Sequence, residues 1–316
     1  MNKNNSLAIL ILIALIILLP LLSSSTYFIT IGVFSGINAL IAIGLCILMG
    51  YAGQVSLGQA GFYGIGAYVS ATLTQHYGLP VPLCVAAAMI VSAVASVILA
   101  VPSLRLRGHY LAVATLSFGV IINIILNEWG PGGPSGFGDI PPFRILDFIF
   151  DSTTSYFYLV WSCVVLVLIF SFNFINSRTG RALQAIHGSE LASRAMGLDV
   201  TALKIKVFVI SAAYASLAGS LYAHYITFIS PSSFTLFYSI VVLMMVVIGG
   251  ITNLWGAVVG SILITILPEL LRRFEEFDVL VYGLILTLSL MFLKKGIVPL
   301  IIEKIKHLRG PLIAHD

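Results

Sequence analysis

Long uninterrupted apolar runs dominate the chain, and short polar segments separate them. A helix crossing a bilayer needs about 20 mostly apolar residues. Dividing the chain on that length gives ten spans: 7–22, 27–50, 55–75, 81–104, 109–127, 156–176, 206–227, 234–250, 254–271 and 279–293. Helix is the only element that fits them. An unpaired backbone group in hydrocarbon is costly, and the runs lack the in–out alternation of a barrel strand. The pattern predicts an all-α fold: a polytopic transmembrane helix bundle of about ten spans, forming a single membrane domain over 1–316. The first run sits between Lys3 and Ser23-Ser24-Ser25, a layout that also suits a cleaved signal peptide, and cleavage would leave nine spans. The run is long for a signal core and no A-x-A site follows it, which favours a retained helix.

Charge sets the expected orientation. Lys and Arg concentrate in loops on the cytoplasmic side. With the N-terminus inside and ten alternating spans, the split is thirteen bases inside to three outside, the outer ones being Arg144, Arg272 and Arg273. The C-terminus is then cytoplasmic too. Eight of the twelve acids fall outside, among them Glu128, Asp139, Asp147, Asp151 and Glu269. This places 128–155 as an extracytoplasmic loop, with Gly130-Pro131-Gly132-Gly133-Pro134-Ser135-Gly136 and Pro141-Pro142 excluding regular helix. It reads either as a structured connector or as a docking surface. The other polar segment, 177–203, lies on the cytoplasmic side.

Composition then removes whole classes of function. Charged residues make up 9% of the chain, against about 25% in an average soluble protein. Asp, Glu, Lys and Arg are missing altogether from 4–104 and from 207–268. A water-soluble, nucleic-acid-binding or disordered protein is excluded. Cys46, Cys84 and Cys163 each lie in an apolar run without C-x-x-C spacing, so they read as small buried hydrophobes.

The search for chemistry finds no phosphate-binding G-x-x-x-x-G-K-[ST] and no H-E-x-x-H, so neither catalysis nor a cofactor is expected. Charges at span centres, which would mark a proton relay, are lacking. What remains is glycine and neutral polarity. Six glycines fall within 50–66, at 50, 53, 58, 61, 64 and 66, with Gln54, Ser56 and Gln59 among them. The glycines allow close helix packing or a helix break facing a cavity. Gln54, Ser56 and Gln59 are the candidates for lining a path for a polar or zwitterionic solute, and Asn38, Thr115 and Asn123 are similar but weaker ones. Gly32 with Gly36, and Gly256 with Gly260, are plain small-residue packing motifs.

The cytoplasmic segment carries a second signal. Ser189 can cap a helix, Glu190 suits its positive end, Gly197 can close it and Asp199 can cap the next span. The result is about two turns over 190–196, bearing Leu191, Ala192, Arg194, Ala195 and Met196. Two turns are unstable alone in water, so the segment needs a surface to pack on: its own bundle, or a groove on a cytoplasmic partner.

Gly50-Tyr51-Ala52-Gly53-Gln54-Val55-Ser56-Leu57-Gly58-Gln59-Ala60-Gly61-Phe62 resembles the G-Y-A-G-Q-x-S-L-G-x-A-x-F block of bacterial branched-chain amino acid ABC transporter permeases. Leu104-Arg105-Leu106-Arg107-Gly108 with Ala114-Thr115-Leu116, Gly132-Gly133-Pro134-Ser135-Gly136, and Asn253-Leu254-Trp255-Gly256-Ala257 with Leu267-Pro268-Glu269-Leu270-Leu271 are similar to the M-type subunit of that family. The resemblance implies a non-enzymatic permease of the bacterial inner membrane. Its implied partners are a second, H-type permease subunit, two cytoplasmic ATPase subunits and a periplasmic solute-binding protein. It also implies that Ser189, Glu190, Leu191, Ala192, Arg194, Ala195, Met196 and Gly197 form the coupling helix that sits in an ATPase groove. In the general importer pattern Gly follows the Glu by six residues, whereas Glu190 and Gly197 are seven apart. Relatives serve leucine, isoleucine and valine, and also other amino acids, urea or amides, so the substrate stays open. An ATP-independent channel is the alternative class. The basic run 294–309 reads as an anchor on anionic membrane lipid.

Overall fold

The computed structural model describes residues 3–22, 25–103, 108–145 and 148–270, together with 283–284, 287 and 296–300. The expected span 279–293 and the basic run 294–309 fall largely outside these residues, and Arg105, Arg107, Arg272 and Arg273 fall wholly outside them.

Among the described residues the apolar runs fold as helices, and two further helices lie in the polar segment 177–203. They are α1 (Lys3–Leu22), α2 (Thr26–Cys46), α3 (Gln59–Tyr77), α4 (Val81–Ser103), α5 (His109–Trp129), α6 (Thr153–Asn176), α7 (Arg178–Gly188), α8 (Glu190–Ala195), α9 (Val200–Ile226), α10 (Leu236–Gly249) and α11 (Leu254–Leu270). Helix α2 runs on through a five-residue π-helical turn, Ile47–Tyr51. Five of these segments are long and apolar enough to cross a membrane: Thr26–Tyr51, α4, α5, α6 and α9. Three shorter apolar helices, Asn5–Pro20, α10 and Leu254–Glu269, accompany them.

Helices α2, α3 and α9 form the centre. Nearly every side chain of α2 from Ile37 to Cys46 is buried. Contact between α3 and α9 is close because glycine sits at the crossing on both helices. A Cβ on Gly66 would lie 2.2 Å from the Ser216 carbonyl oxygen, and one on Gly219 would lie 2.0 Å from that of Tyr63. The backbones therefore touch, and Ser220 donates to the Gly66 carbonyl at 3.1 Å. Around this centre, α6 and α11 pack on α2, α4 packs on α9, and α10 on α11.

Four boundaries depart from expectation. The third span begins at Gln59 rather than 55, because 53–58 is not helical. Helix α9 starts at Val200, six residues before the expected span. The polar loop is shorter than 128–155, since α5 continues to Trp129 and α6 begins at Thr153. The loop keeps a 3₁₀ turn, Gly133–Ser135, and a two-stranded hairpin of β1 (Arg144–Ile145) and β2 (Phe148–Ile149). Lastly, 177–203 is no simple loop around one short helix: α7 precedes α8, and the α8 helix ends at Ala195 with Met196 as its C-cap.

The connections gather at two ends of the bundle. At one end, Gly53 lies against the His187 ring and Tyr51 donates to the Thr252 carbonyl at 2.9 Å. At the other, Phe137 and Ile229 form a β-bridge and Gln75 donates to the Gly138 carbonyl at 3.0 Å. There His224 Nδ1 lies 2.7 Å from the Pro141 carbonyl oxygen. A carbonyl can only accept, so Nδ1 carries the proton.

Candidate functional site

Residues 53–58 form no regular helix between α2 and α3, although Gly53 N still donates to the Met49 carbonyl at 3.1 Å, and the segment turns at Gly53, whose φ is +65°. A side chain at Gly53 would be strained in that left-handed region. Along the segment burial alternates: Gly53 and Val55 are exposed, while Gln54, Ser56 and Gly58 are buried. Irregular backbone at membrane depth must find partners inside the protein, and here hydroxyl side chains supply them. Leu57 N donates to Thr115 Oγ1 at 3.0 Å and Gly58 N to Ser56 Oγ at 3.4 Å. Ala60 N, in the first turn of α3, donates to Ser239 Oγ at 3.0 Å.

Helix α10 starts beside this turn. Tyr238 stacks on Tyr63 at 4.9 Å between ring centroids, and Phe234 packs on Gly64. A 14-residue helix spans about 21 Å, short of the roughly 30 Å of a hydrocarbon core. The 3₁₀ turn Pro231–Phe234 precedes it, held by Asn123 Nδ2, which donates to the Pro231 carbonyl at 2.8 Å. Thus α3 and α10 each begin within the bundle, and their N-terminal turns overlap.

Within this frame, Gln59 Nε2 donates to Ser211 Oγ on α9 at 3.0 Å. Gln54 is 1% exposed. Among the described residues, neither of its amide atoms has a partner, and neither does Gln59 Oε1. Thr115 and Asn123 hold irregular backbone, and Asn38 bridges Thr265 and Tyr238. The structure therefore gathers Gln54, Ser56, Gln59 and Thr115 around one break, while Asn123 belongs to the second break at 231–234. Ser211, Ser239 and Tyr238 complete the cluster, and sequence reasoning missed them because their partners lie 150 or more residues away. Two cavities lie at the end that carries the hairpin. One of about 490 Å³ is lined by Phe34, Asp151, Tyr156 and Tyr225, and one of about 520 Å³ by Thr74, Leu79, Pro141 and Arg144. None of the path candidates lines either.

The second candidate region lies at the end where Gly53 meets His187. Ser189 Oγ accepts from Ala192 N at 3.3 Å and caps α8, Gly197 closes it at φ +81°, and Asp199 Oδ1 accepts from Ala202 N at 3.0 Å and caps α9. Each cap falls where the sequence indicates it. Leu191 is 82% and Met196 69% exposed, while Ser193 is buried. Glu190 forms an ion pair with Lys204 in the second turn of α9. Helix α7, unforeseen, is capped by Ser177 and buries Gly180, Leu183 and Ile186, a spacing of three that could have revealed it. Among the described residues no three His, Cys, Asp or Glu side chains come together to hold a metal.

The arrangement is that of a polytopic helical membrane protein in which irregular backbone beside two helix starts is bonded inside the bundle. A family model described as branched-chain amino acid transport system / permease component matches residues 27–292, and the chain belongs to that family. It is similar to the high-affinity branched-chain amino acid transport system permease protein LivM of Salmonella typhimurium, with 35% identity over 85% of this chain and 69% of that one. The protein of the same name from Escherichia coli is 34% identical over 87% of this chain and 70% of that one. A probable LivM permease of Methanocaldococcus jannaschii is 26% identical over 69% of this chain and 68% of that one. No solved structure matches.

Proposed function

We propose that this chain is one permease subunit of an ATP-driven importer of leucine, isoleucine and valine in a bacterial inner membrane. It crosses about ten times with both termini in the cytoplasm. An H-type permease completes the translocation path, two ATPase subunits bind on the cytoplasmic side, and a periplasmic binding protein delivers the amino acid. Helix α8 is the coupling helix, and the region of Gln54, Ser56, Gln59, Thr115 and Asn123 borders the path. Closure of the ATPases would draw the coupling helices together and open the path outward, and hydrolysis would reset it. Such a switch needs contacts that differ between the two states.

One observation carries the reading. A capped helix of six residues exposes Leu191 and Met196 at the end of the bundle that carries the bases Arg178, Arg181, Arg194, Lys204 and Lys206. Large apolar side chains on a two-turn helix in water mark a partner surface, and a self-sufficient channel has no use for one. Names of the relatives supply the substrate, which the interior polarity suits: neutral hydrogen-bonding groups serve a zwitterion without trapping a charge.

Uptake of radiolabelled leucine in cells lacking this chain tests the proposal, with valine, urea and other amino acids as competitors. Loss of uptake, restored by the wild-type chain and suppressed by valine but not urea, is the expected result. Unchanged leucine uptake would overturn the substrate.

A further inference from the structure

The ion pair of Glu190 and Lys204 joins α8 to α9, with the Glu190 side chain 30% exposed. Lys204 is 7% exposed on α9, and Glu190 turns back from the first residue of α8 to reach it. A lysine is almost never buried without a partner, because losing its hydration is expensive. The carboxylate is therefore engaged within this chain, and Leu191, Arg194 and Met196 are among the outward side chains of the hairpin.

Helix α9 leads from that pair to the interior. Ser211, which holds Gln59 at the start of α3, lies seven residues beyond Lys204 on α9, about 10 Å along the same rigid rod. A second contact runs in parallel: the His187 ring at the end of α7 sits under Gly53, with its Cγ 3.4 Å from where a Cβ would stand. The α7–α8 hairpin is thus fastened to α9 by charge and rests against the irregular segment 52–58 by packing.

We infer that Glu190 is a positioning residue: with Lys204 it ties α8 to α9, so that movement of the docked helix reaches the start of α3 instead of being lost in the hairpin. This rests on the reading of α8 as the coupling helix, and it assigns Glu190 inward, away from the ATPase.

The test uses the whole complex, purified with its ATPase subunits and placed in vesicles, with leucine uptake and ATP hydrolysis measured together. E190Q alone leaves a buried ammonium and can misfold. E190Q/K204M removes both charges and keeps the volume, and E190K/K204E exchanges them. For E190Q/K204M the expected result is normal co-purification of the ATPase with leucine moved per ATP reduced about fivefold or more, and the exchanged pair recovers part of that loss. A purely structural pair would leave transport per ATP at the wild-type value in E190Q/K204M, which overturns the inference. Loss of the ATPase from E190Q/K204M would make Glu190 a docking residue and overturns it as well. The variant L191D/M196D separates this from failure of the parent reading: if it still co-purifies with the ATPase, α8 is not the coupling helix at all.

Discussion

The segment 52–58 and the helix α8 depart from ordinary solubility rules in opposite directions. The first buries uncharged polar side chains and irregular backbone among helices, and the second extends leucine and methionine into water. Each has two faces, and in each the inward face is bonded to other parts of this chain, although the Gln54 amide and the Ser193 hydroxyl have no partner among the described residues. In the irregular segment the inward face is closed by hydroxyls from α5 and α10, while Val55, 38% exposed, looks outward. In α8 the inward face is held by the Ser189 cap and the ion pair to α9, while Leu191 and Met196 look outward. The difference teaches where the chain is self-sufficient. Irregular backbone turned inward is bonded by its own hydroxyls, the Gln54 amide turned inward has no partner among the described residues, and apolar groups turned outward await another surface.

The contrast can be broken most severely at the helix crossing that supports the first region. G219L places atoms where the Tyr63 carbonyl already stands. It should cost at least about 3 kcal/mol, read as loss of the cooperative thermal transition of the detergent-solubilised protein. Next comes L191D/M196D, which removes the outward face of α8. ATPase retention should weaken by about 30-fold or more, with the melting temperature of the isolated subunit unchanged. A melting temperature that falls with it would mean that these side chains pack on this chain after all. Smaller still, S239A leaves Ala60 N without its acceptor in the interior, a loss of about 1–3 kcal/mol, visible as a lowered midpoint in thermal unfolding. The gentlest probe is V55T on the outward face of the same segment. It should shift stability by no more than about 0.5 kcal/mol. A cost equal to that of S239A would show the segment to be buried on both faces.

Much of this contrast was legible in the sequence, for identifiable reasons. Apolar length located α2, α4, α5, α6 and α9, because hydrocarbon thickness fixes how many residues a crossing needs. Ser189, Gly197 and Asp199 were readable because caps act within three or four residues of themselves. The helix break was not placed. A rule that sums hydropathy over 20 residues passes across Val55-Ser56-Leu57 without noticing that the backbone there bonds sideways to Thr115. The depth at which α10 begins was hidden likewise, since its apolar run gives length but no register against α3. The pairing of Glu190 with Lys204 spans 14 residues and a change of helix, beyond any local spacing rule. What sequence conveys is local, and what it withholds is the partner that arrives from far along the chain.

That distance has a consequence for how the protein is made. When residues 52–58 leave the ribosome, the hydroxyl that steadies Leu57 is still 58 residues away, the one that holds Gln59 is 152 away, and the one that receives Ala60 N is 179 away. At 5–20 residues per second, translation needs on the order of ten seconds or more to deliver Ser239. Through that interval α3 lacks its neighbours and is weakly apolar beside the flanking helices, so it is a poor candidate for independent insertion. The contacts of α3 with α9 and α10 can form only after those helices are made, so this part of the bundle closes late in synthesis.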